Sequence, residues 1–148
     1  MKIYIGADHR GFSLKAKLKE DLIKLGYEVN DDGDKRLDPD DDYPIFAQRV
    51  VNDVLSSDDN DARGILMCGS GQGMMMVANR FRGIRAVVGY DNESARASRT
   101  DEDSNILCLP SSVFDDKTAL SIIHIWLDTE FSKAPRYIRR LREMDNLN

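Results

Sequence analysis

Gly64-Ile65-Leu66-Met67-Cys68-Gly69-Ser70-Gly71-Gln72-Gly73 is the stretch that decides the fold. A short apolar run passes without a break into alternating glycines, and apolar residues return at helical intervals from Met74 to Phe81. That succession is a strand, a tight turn and a helix. The run is apolar at consecutive positions instead of alternating with polar residues. It therefore predicts a strand covered on both faces, as in a parallel sheet.

The same succession extends outward in both directions. Before it, Lys2-Ile3-Tyr4-Ile5-Gly6 reads as a strand, and Phe12, Leu14, Leu18, Leu22, Ile23 and Leu25 mark a helix that Gly26 stops. Tyr27-Glu28-Val29 is a second strand. The helix from Ile45 to Leu55 has Pro44 in its first turn. After the central stretch come a strand over Ile84–Val88, a helix over Glu93–Arg99, and a fifth strand over Asn105–Leu109 that Pro110 stops. A long amphipathic helix then covers Lys117–Phe131, and Pro135 separates it from a basic helix ending near Met144. Strands separated by helices predict an α/β fold with a five-stranded, mostly parallel sheet, its two faces covered by helices. Ligands in such a fold bind outside the carboxyl ends of the strands. Gly6–Gly11 and Cys68–Gly73 are the loops to look at.

Composition limits what can bind there. A chain of 148 residues predicts a single domain spanning 1–148. With 21 Lys and Arg against 26 Asp and Glu, the net charge is -5, which argues against nucleic acid and anionic membranes as partners. Cys68 and Cys108 form neither a disulfide framework nor a zinc knuckle. No apolar run approaches the roughly 18 residues of a spanning helix, and the N-terminus does not read as a signal peptide. A cytoplasmic, reducing location is the expectation. The acidic total still leaves room for a few arginines to hold a small anion.

The alternating glycines turn backbone amides inward, and with the helix that follows they form either an anion cradle or a tight turn. They are not a P-loop, since no Gly-Lys-Ser/Thr follows, and Met74 stands where a dinucleotide fingerprint needs glycine. Cys68 favours the functional reading. At a strand end beside free amides, a thiolate acts as a base while the amides hold a developing oxyanion. Cys108, inside an apolar strand, reads as a small packed hydrophobe. Asp8 and His9 are suited to binding sugar hydroxyls or moving protons, or else to capping a helix beside a surface histidine. His124 lies among Ile122, Ile123, Ile125 and Trp126 and reads as packed. Arg136 and Arg140 share a helix face, so they either grip one phosphate or form a solvated basic face, and spacing alone favours the latter; Arg139 and Arg142 point elsewhere. Asp38, Asp40 and Asp42 mimic the start of a calcium loop, but Tyr43-Pro44 replaces its glycine and Arg49 its last glutamate. No metal site is expected, and the acidic loop reads as solvated.

Five motifs together resemble the type B ribose-5-phosphate isomerases and their galactose-6-phosphate isomerase relatives. They are Gly6-Ala7-Asp8-His9-Arg10-Gly11-Phe12, Asp42-Tyr43-Pro44, Cys68-Gly69-Ser70-Gly71-Gln72-Gly73, Gly83-Ile84-Arg85-Ala86 and Asn105-Ile106-Leu107. The resemblance implies a Rossmann-like three-layer α/β/α sandwich that interconverts an aldose and a ketose phosphate through a cis-enediol, with neither metal nor organic cofactor. The substrate it implies is ribose 5-phosphate or a related pentose or hexose phosphate. It casts Cys68 as the base that moves a proton between C1 and C2, with the Ser70 hydroxyl beside it. The amides of Gly69, Gly71 and Gly73 hold the enediolate oxygen. Asp8 and Tyr43 contact the sugar, and His9, Arg136 and Arg140 contact its phosphate.

The chain also departs from the family pattern. Asp101 and Glu102 stand where typical members carry a histidine that opens the furanose ring and an asparagine that holds the enediolate. Asp101 is thus the candidate ring-opening residue. Ser112 stands where the family has a further phosphate-binding arginine. The resemblance assigns these three positions to a neighbouring subunit, and Cys68, Asp8 and the helical arginines to the other chain. It implies a homodimer or tetramer in which the C-terminal helix, about 134–145, packs on the neighbour. A hetero-oligomer with a related chain that supplies the missing groups is the first alternative. A non-catalytic sugar-phosphate-binding or regulatory protein is the second, although such a protein has no need of Cys68.

Overall fold

The apolar run at the centre of the sequence is the middle strand of the sheet. The computed structural model describes residues 1–147. In chain order these form β1 (Lys2–Ala7), α1 (Phe12–Lys24), β2 (Glu28–Asp31), α2 (Tyr43–Ser56), β3 (Arg63–Cys68), α3 (Gln72–Ala78), β4 (Ala86–Val88), α4 (Asn92–Glu102), β5 (Ile106–Pro110), α5 (Asp116–Asp128) and α6 (Pro135–Asp145). The strands are ordered β2-β1-β3-β5-β4, and every pairing is parallel. The fold is the predicted α/β class, with a sheet more uniform than "mostly parallel".

Strand residues alternate between two helical layers. Ile65 and Met67 of β3 pack with Leu14, Leu18 and Leu22 of α1 and with Ile122, Ile123 and Trp126 of α5. Leu66 and Cys68 face the opposite way, toward Phe46, Val50 and Val51 of α2 and Met74 and Ala78 of α3. Burial of each large side chain stabilises the fold by about 1.5–3 kcal/mol, so both layers hold the sheet firmly. The chain steps outward from β1 to β2 and then crosses back to place β3 on the other side of β1. The carboxyl ends of β1 and β3 therefore flank a topological switch point, where a crevice opens.

Several boundaries differ from the sequence reading for local reasons. α3 starts at Gln72, inside the glycine run, and ends at Ala78 instead of Phe81. There Asn79 leaves the helix and pairs with Ala86: its Nδ2 donates to the Ala86 carbonyl, and its Oδ1 accepts the Ala86 N–H, both at 2.8 Å. This side chain occupies the open edge of β4, which would otherwise invite another strand. β4 begins at Ala86, not Ile84, because the Asn105 side chain accepts the Arg85 N–H at 2.8 Å. Pro110 closes β5 from within, opposite Cys68. α4 runs on past Arg99 to Glu102, whereas α5 stops at Asp128, short of Phe131.

α6 lies beside the end of α4. The Ser132 N–H donates to the Thr100 carbonyl at 3.1 Å, and Arg85 Nη1 is 3.9 Å from Asp145. No helix of the described residues is long and apolar enough to cross a membrane.

Candidate active site

The loops after β1 and β3 meet at the switch point. Cys68, the last residue of β3, is 5% exposed, and its Sγ accepts the Gly71 N–H at 3.1 Å. Gly71 can present that amide because its backbone is left-handed, with φ 74. A charged acceptor takes such a bond more strongly than a neutral one does. Ser70 is exposed beside it, its Oγ accepting the Gln72 N–H at 3.3 Å. The Tyr43 ring, at the start of α2, lies against Gly73, 2.9 Å from where a Cβ would stand. Across the crevice Asp8 is 6% exposed, and its Oδ1 accepts the N–H groups of Arg10 and Gly11, each at 3.0 Å. Asp8 therefore braces the loop after β1; the N-cap of α1 is Gly11, without a side-chain cap. The structure gathers Cys68, Ser70, Gly69, Gly71, Gly73, Tyr43, Asp8 and His9 at one end of the sheet.

His9 has a partner that was not foreseen. Its Nδ1 lies 2.7 Å from Asp41 Oδ1, whose side chain is only 7% exposed. The acidic loop is thus not simply solvated, because one of its carboxylates folds back onto the site. The Asp41 hydrogen bond raises the His9 pKa above its usual value, and burial opposes this. Raised in this way, the imidazole keeps its proton to higher pH.

Ser112 also lies elsewhere than expected. The resemblance assigned it to a neighbouring subunit, apart from Cys68, but in this chain it sits beside the Cys68 loop. Its N–H donates to the Gly69 carbonyl at 3.1 Å, and its Oγ accepts from Arg10 Nη2 at 2.8 Å. The reason is register. β5 pairs with β3 until Pro110 stands opposite Cys68, so the residues just beyond Pro110 must leave the sheet where the Cys68 loop does. Ser111 fastens the junction, its Oγ donating to the carbonyls of Arg10 at 2.9 Å and Cys68 at 3.0 Å.

The remaining candidates lie at the other end of the sheet. α4 descends to Glu102, whose carbonyl accepts from Arg85 Nε at 3.0 Å, and Arg85 is the residue just before β4. Asp101 and Glu102 are therefore at the amino end of the strands. Arg136 and Arg140 are with them, on the helix that lies against α4. Their guanidinium carbons sit 4.6 and 5.9 Å from the centre of the Tyr137 ring, so the pair does share a face, organised around that ring. Arg139 turns away to Glu143 at 3.7 Å. The expected grouping of Cys68 with the helical arginines in one chain is thus corrected: a single chain keeps them at opposite ends.

Comparison with known proteins agrees with this architecture. The family model described as Ribose/Galactose Isomerase matches residues 3–144. A ribose-5-P isomerase B of Listeria innocua is 35% identical, with 100% of this chain and 99% of that protein covered. A ribose 5-phosphate isomerase structure from Thermotoga maritima superposes with a TM-score of 0.93 at 40% identity, covering 99% of this chain and 98% of that one. A ribose-5-phosphate isomerase B structure from Mycoplasma genitalium with bound ribulose-5-phosphate superposes with a TM-score of 0.91 at 34% identity, covering 97% and 93%.

The chain belongs to the ribose/galactose isomerase family. It is an isomerase by that membership, built on the family's fold.

Within this family member, Arg10, Asp41 and Ser111 escaped the sequence reading. Asp41 stood in a run of acids that looked interchangeable, and Ser111 has a role only through strand register. Arg10 stood beside two chosen residues, but its importance depends on the loop it crosses. Cys108 is fully buried and its thiol pKa is pushed up by burial, while His124 is half-buried on α5. Among the described residues no three His, Cys, Asp or Glu side chains form a metal-binding cluster.

Proposed function

We propose that this chain interconverts ribose 5-phosphate and ribulose 5-phosphate, with Cys68 as the base. The observation that carries the reading is the Cys68 thiol at the switch point, its sulfur 3.1 Å from the Gly71 N–H. In the open-chain aldose, the Cys68 thiolate takes the proton from C2. The C2–H electron pair becomes the C1=C2 double bond, and the carbonyl pair moves onto O1. The amides of Gly69, Gly71 and Gly73 stabilise that oxyanion as it forms, which lowers the barrier. The thiol then returns the proton to C1, and O2 loses its proton as the ketone forms. Ser70 hands the O2 proton to O1, and Asp8 and Tyr43 hold the sugar hydroxyls.

Arg136, Arg140 and Asp101 reach this substrate only from a second copy of the chain, because their own Cys68 lies at the far end of the sheet. In that arrangement Asp101 accepts the O1 proton as the C1=O1 bond forms and the C1–O4 bond breaks, and O4 takes up a proton from water. The two carboxylates at Asp101 and Glu102 also favour a second reading, in which a related chain supplies neutral or basic groups there.

The test is turnover of a panel of aldose and ketose phosphates by the purified chain and by Cys68→Ala. The isomerase reading expects conversion of ribose 5-phosphate by the wild type, with kcat about 10²–10⁴-fold lower in the variant. Equal turnover in the two proteins removes Cys68 from the mechanism. Turnover only after a related chain is added supports the hetero-oligomer, and binding without turnover in either setting overturns the isomerase reading.

A further inference from the structure

We infer that Arg10 is a substrate-binding residue that holds the phosphate of the sugar phosphate, an inference that rests on the function proposed above. The loop after β3 is built around this side chain. A Cβ placed on Gly69 would stand 2.3 Å from Arg10 Cζ, 2.4 Å from Nη1 and 2.5 Å from Nε. Glycine at that position lets the guanidinium lie flat across the turn, one residue from Cys68. The rest of Arg10 is fixed as well. Its N–H donates to Asp8 at 3.0 Å, and its carbonyl accepts from Ser111 Oγ at 2.9 Å.

Among the described residues the charge so positioned has no counter-ion. Arg63, Arg85 and Arg99 each lie about 3 Å from an aspartate. Among the described residues Arg10 has no carboxylate within ion-pair distance, and its side chain donates only to the neutral Ser112 hydroxyl at 2.8 Å. Arg10 is also exposed, hence open to a ligand. The adjacent His9 is pushed toward its cationic form. Two consecutive cations at the mouth of an amide-lined turn suit a phosphate dianion better than a sugar hydroxyl. The planar fork of a guanidinium matches phosphate oxygens with paired hydrogen bonds. Arg10 thus supplies, from the loop after β1, the positive charge that Ser112 does not supply from the loop after β5.

The test compares wild type, Arg10→Ala, Arg10→Gln and Arg10→Ala/Ser112→Arg. It measures steady-state kinetics with ribose 5-phosphate and calorimetric binding of inorganic phosphate, with thermal melts to confirm folding. The expected result in both single variants is a KM and a phosphate Kd raised about 10- to 100-fold, with kcat held within a few-fold. Ser112→Arg returns a guanidinium to the same place and is expected to restore most of the loss. Unchanged KM and phosphate affinity overturn the inference, as does a fall in kcat alone, which would assign Arg10 to the reacting carbons. Wild-type turnover with Arg10-independent binding leaves the isomerase reading standing and removes Arg10. Phosphate binding that needs Arg10, without turnover of any sugar phosphate, does the reverse. A wild type that neither binds nor turns over defeats both.

Discussion

At His9 the charge of the site is set by a carboxylate 32 positions away in sequence, Asp41. The hydrogen bond from Asp41 is the largest cause of the raised His9 pKa, with burial acting against it. The imidazolium is therefore present below that raised value and lost as pH climbs through it. The KM for a phosphorylated substrate is expected to be flat at low pH and to rise across the same interval. Asp41→Asn should move the rise to lower pH, toward the usual histidine range near pH 6.5, without changing its limiting values by more than a few-fold. Identical pH profiles for KM in the two proteins would show that His9 does not meet the phosphate. Cys68, Asp8 and His9 stood out in the sequence because they lie at or just after strand ends, in loops that contain glycine. Asp41 and Arg10 were not, because their roles depend on contacts made across the fold. A charge on a loop reads as solvated until its neighbour in space is known.

Between elements, the packing of α2 against the end of β2 creates a second titrating pair. Asp32, just after β2, lies against Asp53 of α2, and burial together with that neighbouring charge raises its pKa to about 7. Its Oδ2 is buried without a hydrogen-bond partner, a gap that a proton shared with Asp53 would fill. Because the folded state holds this proton more tightly than the unfolded chain, the pair stabilises the fold fully below about pH 4. That contribution is lost as pH rises toward 7. Asp32→Asn is expected to raise the melting temperature by a few degrees at pH 8, about 2–4 °C for each kcal/mol of strain removed, and to lose that advantage near pH 4. Thermal melts across this range decide it; an advantage independent of pH would show that the pair is not the cause. At this scale the sequence reading was good for order and type, since apolar period separates strand from helix. It failed at boundaries where side chains replace backbone partners, as Asn79 does at the end of α3.

For the whole molecule, strand order was not legible, because local periodicity carries no information on which strands pair. The order β2-β1-β3-β5-β4 determines which residues can meet. It brings Ser112 to Cys68, and it leaves Arg136 and Arg140 beyond the opposite ends of the strands. β3 alone has six residues and spans about 17–20 Å, too far for one phosphorylated pentose to bridge. If both groups serve one substrate, a two-fold pair of chains must set the carboxyl edge of one sheet against the amino edge of the other. Complementation follows from this geometry. Cys68→Ala and the double variant Arg136→Ala/Arg140→Ala should each be nearly inactive alone. After equal mixing and subunit exchange, about half of the dimers carry one chain of each kind. In such a dimer one site collects all the substitutions and the other collects none. The mixture should therefore recover about a quarter of wild-type activity, each mixed dimer having one of its two sites intact. Assays of the separate proteins and of the equilibrated mixture measure this directly. A mixture no more active than its components would show that Cys68 and the helical arginines do not share a substrate.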